Sequence, residues 1–165
     1  MGMRMKYEFA FLFLAGSLWQ AQAQDKWDIN RLDLSKLPPP ANQQNLTFAK
    51  DIQPLFEESC LRCHGQQRQK GELRLDSLES ALKGGKDGKV ILPGDSRKSL
   101  LVAAAAQIDH DTAMPPKHGP GGPGGPGGPG GPGGPGGPRQ FGPAPKALTV
   151  EQVGLIRAWI DQGAK

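Results

Sequence analysis

The stretch Cys60-Leu61-Arg62-Cys63-His64 decides the fold of this chain, because it places two thiols and an imidazole within a single turn of backbone. Cysteines three residues apart lie on the same face of a helical turn. Followed directly by a histidine, they have the spacing of a c-type haem attachment site. Cys60 and Cys63 are therefore predicted to hold one haem c through thioether bonds, with His64 as the proximal ligand of its iron.

Two other sites are compatible with the cysteines of this motif. In an exported protein they can form a structural or redox-active disulfide, although the chain shows no βαβ pattern of the kind that surrounds a thioredoxin-like motif. A zinc site would combine them with His110 and His118, but the spacing is not that of a zinc finger. Haem attachment is the interpretation that we favour.

Met114 is the predicted distal ligand of the iron. It is the one methionine that follows residue 23, and the two prolines after it hold the backbone extended. A thioether ligand raises the reduction potential relative to two nitrogen ligands. Coordination by His110 or His118, and an open distal position, are the alternatives. The predicted metal ligands are thus His64 and Met114.

The first 23 residues have the order of a secretory signal peptide: basic residues, an apolar run over residues 9–19, and then Ala21-Gln22-Ala23. The run is too short for a stop-transfer helix, so we predict cleavage after Ala23 and no membrane span afterwards. An uncleaved anchor is the alternative. The predicted location is the periplasm or cell envelope. Without these residues the formal net charge falls from +4 to +3, too weak to indicate a nucleic-acid partner.

Glycine and proline divide the rest of the chain. The 165 residues include 24 Gly and 16 Pro, and half of these form one tract, residues 119–138, that contains nothing else. We predict this low-complexity tract to be a disordered insertion. Residues 24–45, which contain three consecutive prolines, are predicted to be an extended leader or linker. Residues 46–165 then form one domain interrupted by the tract.

Apolar spacing within this domain predicts a mostly α fold. Phe48, Ile52 and Phe56 share one helix face that runs to about Cys60, with the regular helix starting near Ile52 because Pro54 suits a first turn. Short helices are expected at residues 78–82 and 99–106. A capping box of Thr149 and Gln152 begins the last helix, and Gly163 ends it. The domain has few aromatic residues that could form a core: Phe48, Phe56, Phe141 and Trp159.

Several segments in combination resemble the planctomycete-type cytochrome c domain. They are residues 48–56, 60–65, 70–77, 92–96, 114–116 and 148–164. The resemblance implies a single-haem, mostly helical cytochrome c-like fold. It implies Cys60 and Cys63 as attachment points and His64 and Met114 as axial ligands. In that family such domains often stand at the start of much larger proteins.

The function that these features favour is single-electron transfer by an exported cytochrome c, rather than catalysis on a substrate. A peroxidase-like haem enzyme with a displaceable distal methionine is one alternative, and a haem-containing interaction or sensory module is another. Arg62, Arg68 and Lys70 surround the attachment motif, and they are predicted to guide docking to an acidic redox protein. A solvated face that balances the haem propionates is the other interpretation of these cations.

Overall fold

The computed structural model describes residues 28–116 and 145–165, and the predicted signal peptide and Gly/Pro tract lie outside these ranges. The described residues contain five α-helices and no strand. The predicted mostly α class is confirmed. No helix in the described ranges is long and apolar enough to cross a membrane. The helices are α1 (Gln53–Ser59), α2 (Leu61–His64), α3 (Leu78–Lys83), α4 (Leu100–Ala105) and α5 (Val150–Asp161).

Helix α1 begins one residue after the start expected from the sequence. A π-helical turn, Phe48–Ile52, precedes it, and Pro54 lies in its first turn, where the missing N–H of proline has no helical acceptor to lose. Helices α3 and α4 lie within one residue of their predicted bounds at each end. The periodic apolar residues therefore located these elements correctly.

The core forms between the first and last helical segments. Phe56 of α1 and Trp159 of α5 are both 0% exposed. Phe48 lies between them, with ring centroids 6.0 Å from Phe56 and 5.9 Å from Trp159. Offset and edge contacts at these separations add to the free energy gained by burial. Phe141, the fourth aromatic residue expected in the core, lies outside the described residues.

Helix α5 has defined hydrogen bonds at both ends. The Thr149 hydroxyl accepts from the Gln152 amide, and the Gln152 side chain accepts from the Thr149 amide, which is the predicted capping box. At the other end, the Gly163 amide donates to the Ile160 carbonyl and the Ala164 amide to the Trp159 carbonyl. This pair of bonds is the Schellman arrangement. It satisfies carbonyls that the helix leaves without partners.

Residues 37–43 of the leader lie along α5. The Ala41 amide donates to the Gly154 carbonyl at 2.9 Å. Gly154 permits this approach, because a Cβ there would lie 2.9 Å from the Pro39 carbonyl oxygen. Farther along, the Gln162 side chain donates to the Gln43 carbonyl at 2.9 Å. The predicted extended leader is therefore only partly extended, because it contains two 3₁₀ turns, Ile29–Arg31 and Leu34–Lys36, and its later part packs against the last helix.

Arg157 connects the leader, α5 and the loop before α4. Its side chain is in the core-facing half of α5, with 7% of the residue exposed. Its Nε donates to the Ser96 hydroxyl at 3.1 Å, and its Nη1 donates to the Pro38 carbonyl. Asp161 completes the group by accepting from the Ser96 amide at 2.8 Å and from its hydroxyl at 3.0 Å. A buried cation therefore satisfies polar groups from two loops.

Replacing Arg157 by methionine should lower the free energy of unfolding by about 1–3 kcal/mol, because the Pro38 and Ser96 oxygens lose a charged donor in a buried position. Urea unfolding followed by circular dichroism measures the change. Arg31→Met at an exposed position is the matched control, expected to stay within about 0.5 kcal/mol of the parent. Equal stabilities of the two variants would contradict this role of Arg157.

Candidate haem site

The Cys-x-x-Cys-His motif consists of Cys60, which joins α1 to α2, and of the single turn of α2. The Cys60 amide donates to the Phe56 carbonyl at 2.7 Å, which joins the turn directly to the aromatic core. The amides of Cys63 and His64 both donate to the Cys60 carbonyl, at 3.0 and 2.9 Å. The two thiols and the imidazole therefore belong to one short, hydrogen-bonded unit.

The segment after His64 returns to the same turn and supports it. The Leu75 amide donates to the His64 carbonyl at 2.8 Å, and His64 forms an isolated antiparallel bridge with Gln69. Leu75 is 2% exposed and belongs to the core. The backbone of His64 is consequently held from both sides.

All three side chains of the motif face a cavity of about 730 Å³. This volume is within the usual range for small-molecule and cofactor sites. Apolar side chains form most of its walls, and they come from the loop after His64, from the residues around α4 and from the segment before α5. They include Leu73, Leu75, Val90, Leu101, Ala104 and Leu148.

Burial shifts the pKa values of Cys60 and His64. It raises the pKa of the Cys60 thiol to about 12, and Cys63 acts in the same direction. Burial also lowers the pKa of His64, an effect that the backbone groups of Leu73 and Lys70 oppose. The neutral imidazole, which is the form that binds metal, is therefore favoured. The Nδ1 atom of His64 is buried and has no hydrogen-bond partner.

Met114 lines the same cavity as His64, but it comes from the loop that follows α4. The Met114 amide donates to the Ala104 carbonyl at 2.9 Å, and the Gln107 side chain donates to the Pro115 carbonyl at 2.9 Å. Within this loop, Asp109 accepts from the amides of Asp111 and Thr112 at 3.0 Å each, and these contacts lower the pKa of Asp109. The loop that carries Met114 is thus attached to the end of α4.

The residues of the alternative sites are placed differently. His110 is exposed, lies 3.4 Å from Asp111 and is not part of the cavity wall, whereas His118 is outside the described residues. Cys60 and Cys63 are free thiols. Across residues 28–116 and 145–165, no group of three or more His, Cys, Asp or Glu side chains is arranged to hold a metal ion.

Sequence reasoning missed part of the cavity wall. Asp28 and Ile29 of the leader line it, and so do Pro145 and Leu148, which follow the Gly/Pro tract. Four lysines also line it: Lys70, Lys86, Lys89 and Lys98. The leader and the loop around Lys86 lack apolar periodicity, so their approach to the motif left no signal in the sequence.

The three cations expected at a docking surface lie on two different concavities. Arg62 and Arg68 line a second concavity of about 670 Å³, together with Gln53 and Asp76. Asp76 is fixed there by two hydrogen bonds from Arg74, at 3.0 and 2.7 Å. Lys70 lies instead on the wall of the larger cavity.

The segment from the first cysteine past Met114 is similar to a known family. Residues 60–118 match the family model described as Planctomycete cytochrome C. This match confirms the resemblance over the part of the chain that holds both cysteines, His64 and Met114. The similarity to a cytochrome c family, together with the Cys-x-x-Cys spacing of Cys60 and Cys63, indicates haem c as the cofactor of this segment. No curated protein and no solved structure matches the chain.

A variant with Cys60→Ser and Cys63→Ser should lose all covalent haem, because serine oxygen cannot form the thioethers. The protein is to be produced with a c-type cytochrome maturation system, and covalent haem measured by haem staining after denaturing electrophoresis and by the pyridine haemochrome spectrum. Arg62→Ser, in the same turn, is the control and should keep the haem. Covalent haem in the double variant would refute the attachment site.

Proposed function

We propose that this protein is an exported single-electron carrier with one haem c, attached through Cys60 and Cys63 and ligated by His64 and Met114. The observation that carries the proposal is the presence of His64 and Met114, from separate elements, on the wall of one apolar cavity. The match of residues 60–118 to the Planctomycete cytochrome C family model supports the haem-binding part of the proposal. The signal peptide predicted at residues 1–23 supports export.

The donor set of the cavity fits haem. It combines two thiols three residues apart, a neutral imidazole and a thioether, together with apolar walls of suitable extent. The Nδ1 atom of His64 is buried and makes no hydrogen bond. When bound, the haem would supply an iron atom that cycles between ferric and ferrous states.

Ligation of the iron by both His64 and Met114 would favour an electron carrier over an enzyme. Met114 is half-buried; one hydrogen bond joins it to Ala104 of α4, and a second, from Gln107 to Pro115, stabilises the loop itself. With Met114 bound, the iron would have no position at which a peroxide or another substrate can bind. An iron with the same ligands in both oxidation states also reorganises little when an electron is transferred.

Met114→Ala should keep covalent haem but lose the thioether-to-ferric-iron charge-transfer band, lower the reduction potential and bind cyanide rapidly. Gln107→Ala should show a milder form of this change, because the loop loses one hydrogen bond worth about 1 kcal/mol and is held less firmly. Absorption spectroscopy, potentiometry and cyanide-binding kinetics measure these effects.

The control for the loop variant is Gln44→Ala, which changes an exposed glutamine of the leader and should leave all three measurements unchanged. A Met114→Ala protein with the spectrum and potential of the parent would refute the ligand assignment. Rapid cyanide binding to the parent protein would instead favour the peroxidase-like alternative.

Docking to an acidic redox protein is the part of the proposal that concerns partners. Arg62 lies between the two attachment cysteines, and with Arg68 it lines a concavity next to the haem-attachment turn. Complementary charge accelerates encounter and orients the partner. We assign docking to Arg62 and Arg68, whereas Lys70 belongs to the haem cavity.

Replacing Arg62 and Arg68 by glutamine should slow electron transfer to an acidic blue-copper protein several-fold at low ionic strength, because the encounter loses its electrostatic attraction. Stopped-flow kinetics over a range of salt concentrations measures the rate, and its salt dependence should become weaker. Arg31→Gln is the matched control. If the rate of the double variant equals that of the parent at low salt, docking takes place elsewhere.

A further inference from the structure

The lysines on the cavity wall are cations in a largely apolar site. Lys98 forms an ion pair with Asp95 at 3.0 Å. Among the residues that the structure describes, Lys70, Lys86 and Lys89 form no ion pair with a carboxylate. The wall also contains two carboxylates, Asp28 and Asp87, so lysines outnumber aspartates on it. Such a wall suits a ligand that is apolar over most of its surface and anionic at one edge.

Backbone contacts bring two of these lysines together. Lys70 begins a short 3₁₀ turn, Lys70–Glu72, and Lys86 lies in a tight turn in which Gly85 and Gly88 exchange two hydrogen bonds of 3.0 Å. The Lys86 amide then donates to the Gly71 carbonyl at 2.9 Å. The two basic turns are therefore joined by a hydrogen bond between Lys86 itself and Gly71, the residue after Lys70.

Gly85 is required for this contact. A Cβ at that position would lie 2.4 Å from the Gly71 carbonyl oxygen and 3.1 Å from the Leu73 Cβ atom, so any larger residue would separate the turns. The juxtaposition of Lys70 and Lys86 is thus built by close backbone packing. It does not depend on an attraction between their like charges, which repel each other.

We propose that Lys70 and Lys86 bind the haem propionates. The inference rests on the proposed haem attachment at Cys60 and Cys63. A haem held there through its vinyl groups would carry its propionates at a different edge. Of the wall lysines without a carboxylate partner among the described residues, Lys70 and Lys86 lie on turns that are hydrogen-bonded to each other, and these two are assigned to the propionates. Each ammonium group can donate charge-assisted hydrogen bonds to a propionate oxygen. Asp28 and Asp87 lie on the same wall and weaken the field of these cations.

The test uses holoprotein variants Lys70→Gln, Lys86→Gln and the double variant, with Lys70→Arg and Lys86→Arg as conservative replacements. Lys50→Gln, at an exposed lysine of the π-helical turn that is not part of the cavity wall, is the control. Resonance Raman spectroscopy of the propionate bending band is the primary measurement, and the reduction potential is the second. The pyridine haemochrome spectrum verifies covalent haem in each sample, so a failure of haem attachment is recognised separately.

We expect the glutamine variants to shift the propionate band and to lower the reduction potential, since a lost cation favours the ferric form. The arginine variants should retain both properties, and Lys50→Gln should change neither. A propionate band in the double variant that coincides with the parent band overturns the proposal, even with a lower potential, because a distant charge alone alters the potential. If the double variant yields no holoprotein, the two single variants decide by the same criterion.

Discussion

The hydrogen bond from the Cys60 amide to the Phe56 carbonyl, 2.7 Å long, joins the aromatic core to the candidate haem site. Phe56 is fully buried against Phe48, which in turn contacts Trp159 of the last helix. Cys60 comes four positions after Phe56, so the position of the core sets the position of the motif. The loop after His64 and the Met114 loop are then arranged around a turn that is already fixed.

The walls of the cavity extend well beyond the segment that matches the cytochrome c family. Residues 60–118 supply the thiols, the imidazole and the thioether. Asp28 and Ile29 precede this segment, Pro145 and Leu148 follow it, and Trp159 of the core lies farther still. The candidate ligand and attachment residues are therefore concentrated in one segment, whereas the cavity wall also uses residues before and after it.

Much of this arrangement was predictable from local signals. The capping box of Thr149 and the apolar spacing of Phe48, Ile52 and Phe56 are patterns within a few residues, and they predicted the helices almost to their ends.

The leader was different, because its contacts with α5 use backbone carbonyls such as that of Pro38, and any residue has a carbonyl. Arg157 likewise has the sequence appearance of a surface cation, and its burial follows from partners about 60 and 120 positions away. The site residues Cys60, Cys63, His64 and Met114 were named from motif and composition, but the lysine turns depended on a glycine contact with no sequence signal.

The attachment of the Met114 loop to α4 has a thermodynamic consequence under the proposed ligation. A thioether binds ferrous iron in preference to ferric iron, whereas an unfolded chain does not hold Met114 near the iron. Folding and reduction form a closed thermodynamic cycle, in which the free-energy changes sum to zero. The preference that raises the reduction potential of the folded protein therefore also stabilises its reduced form against unfolding. The hydrogen bonds at Ala104 and Pro115 would then make conformational stability depend on oxidation state. The folded protein would be more resistant to denaturant and protease while it carries its electron than after it has delivered it.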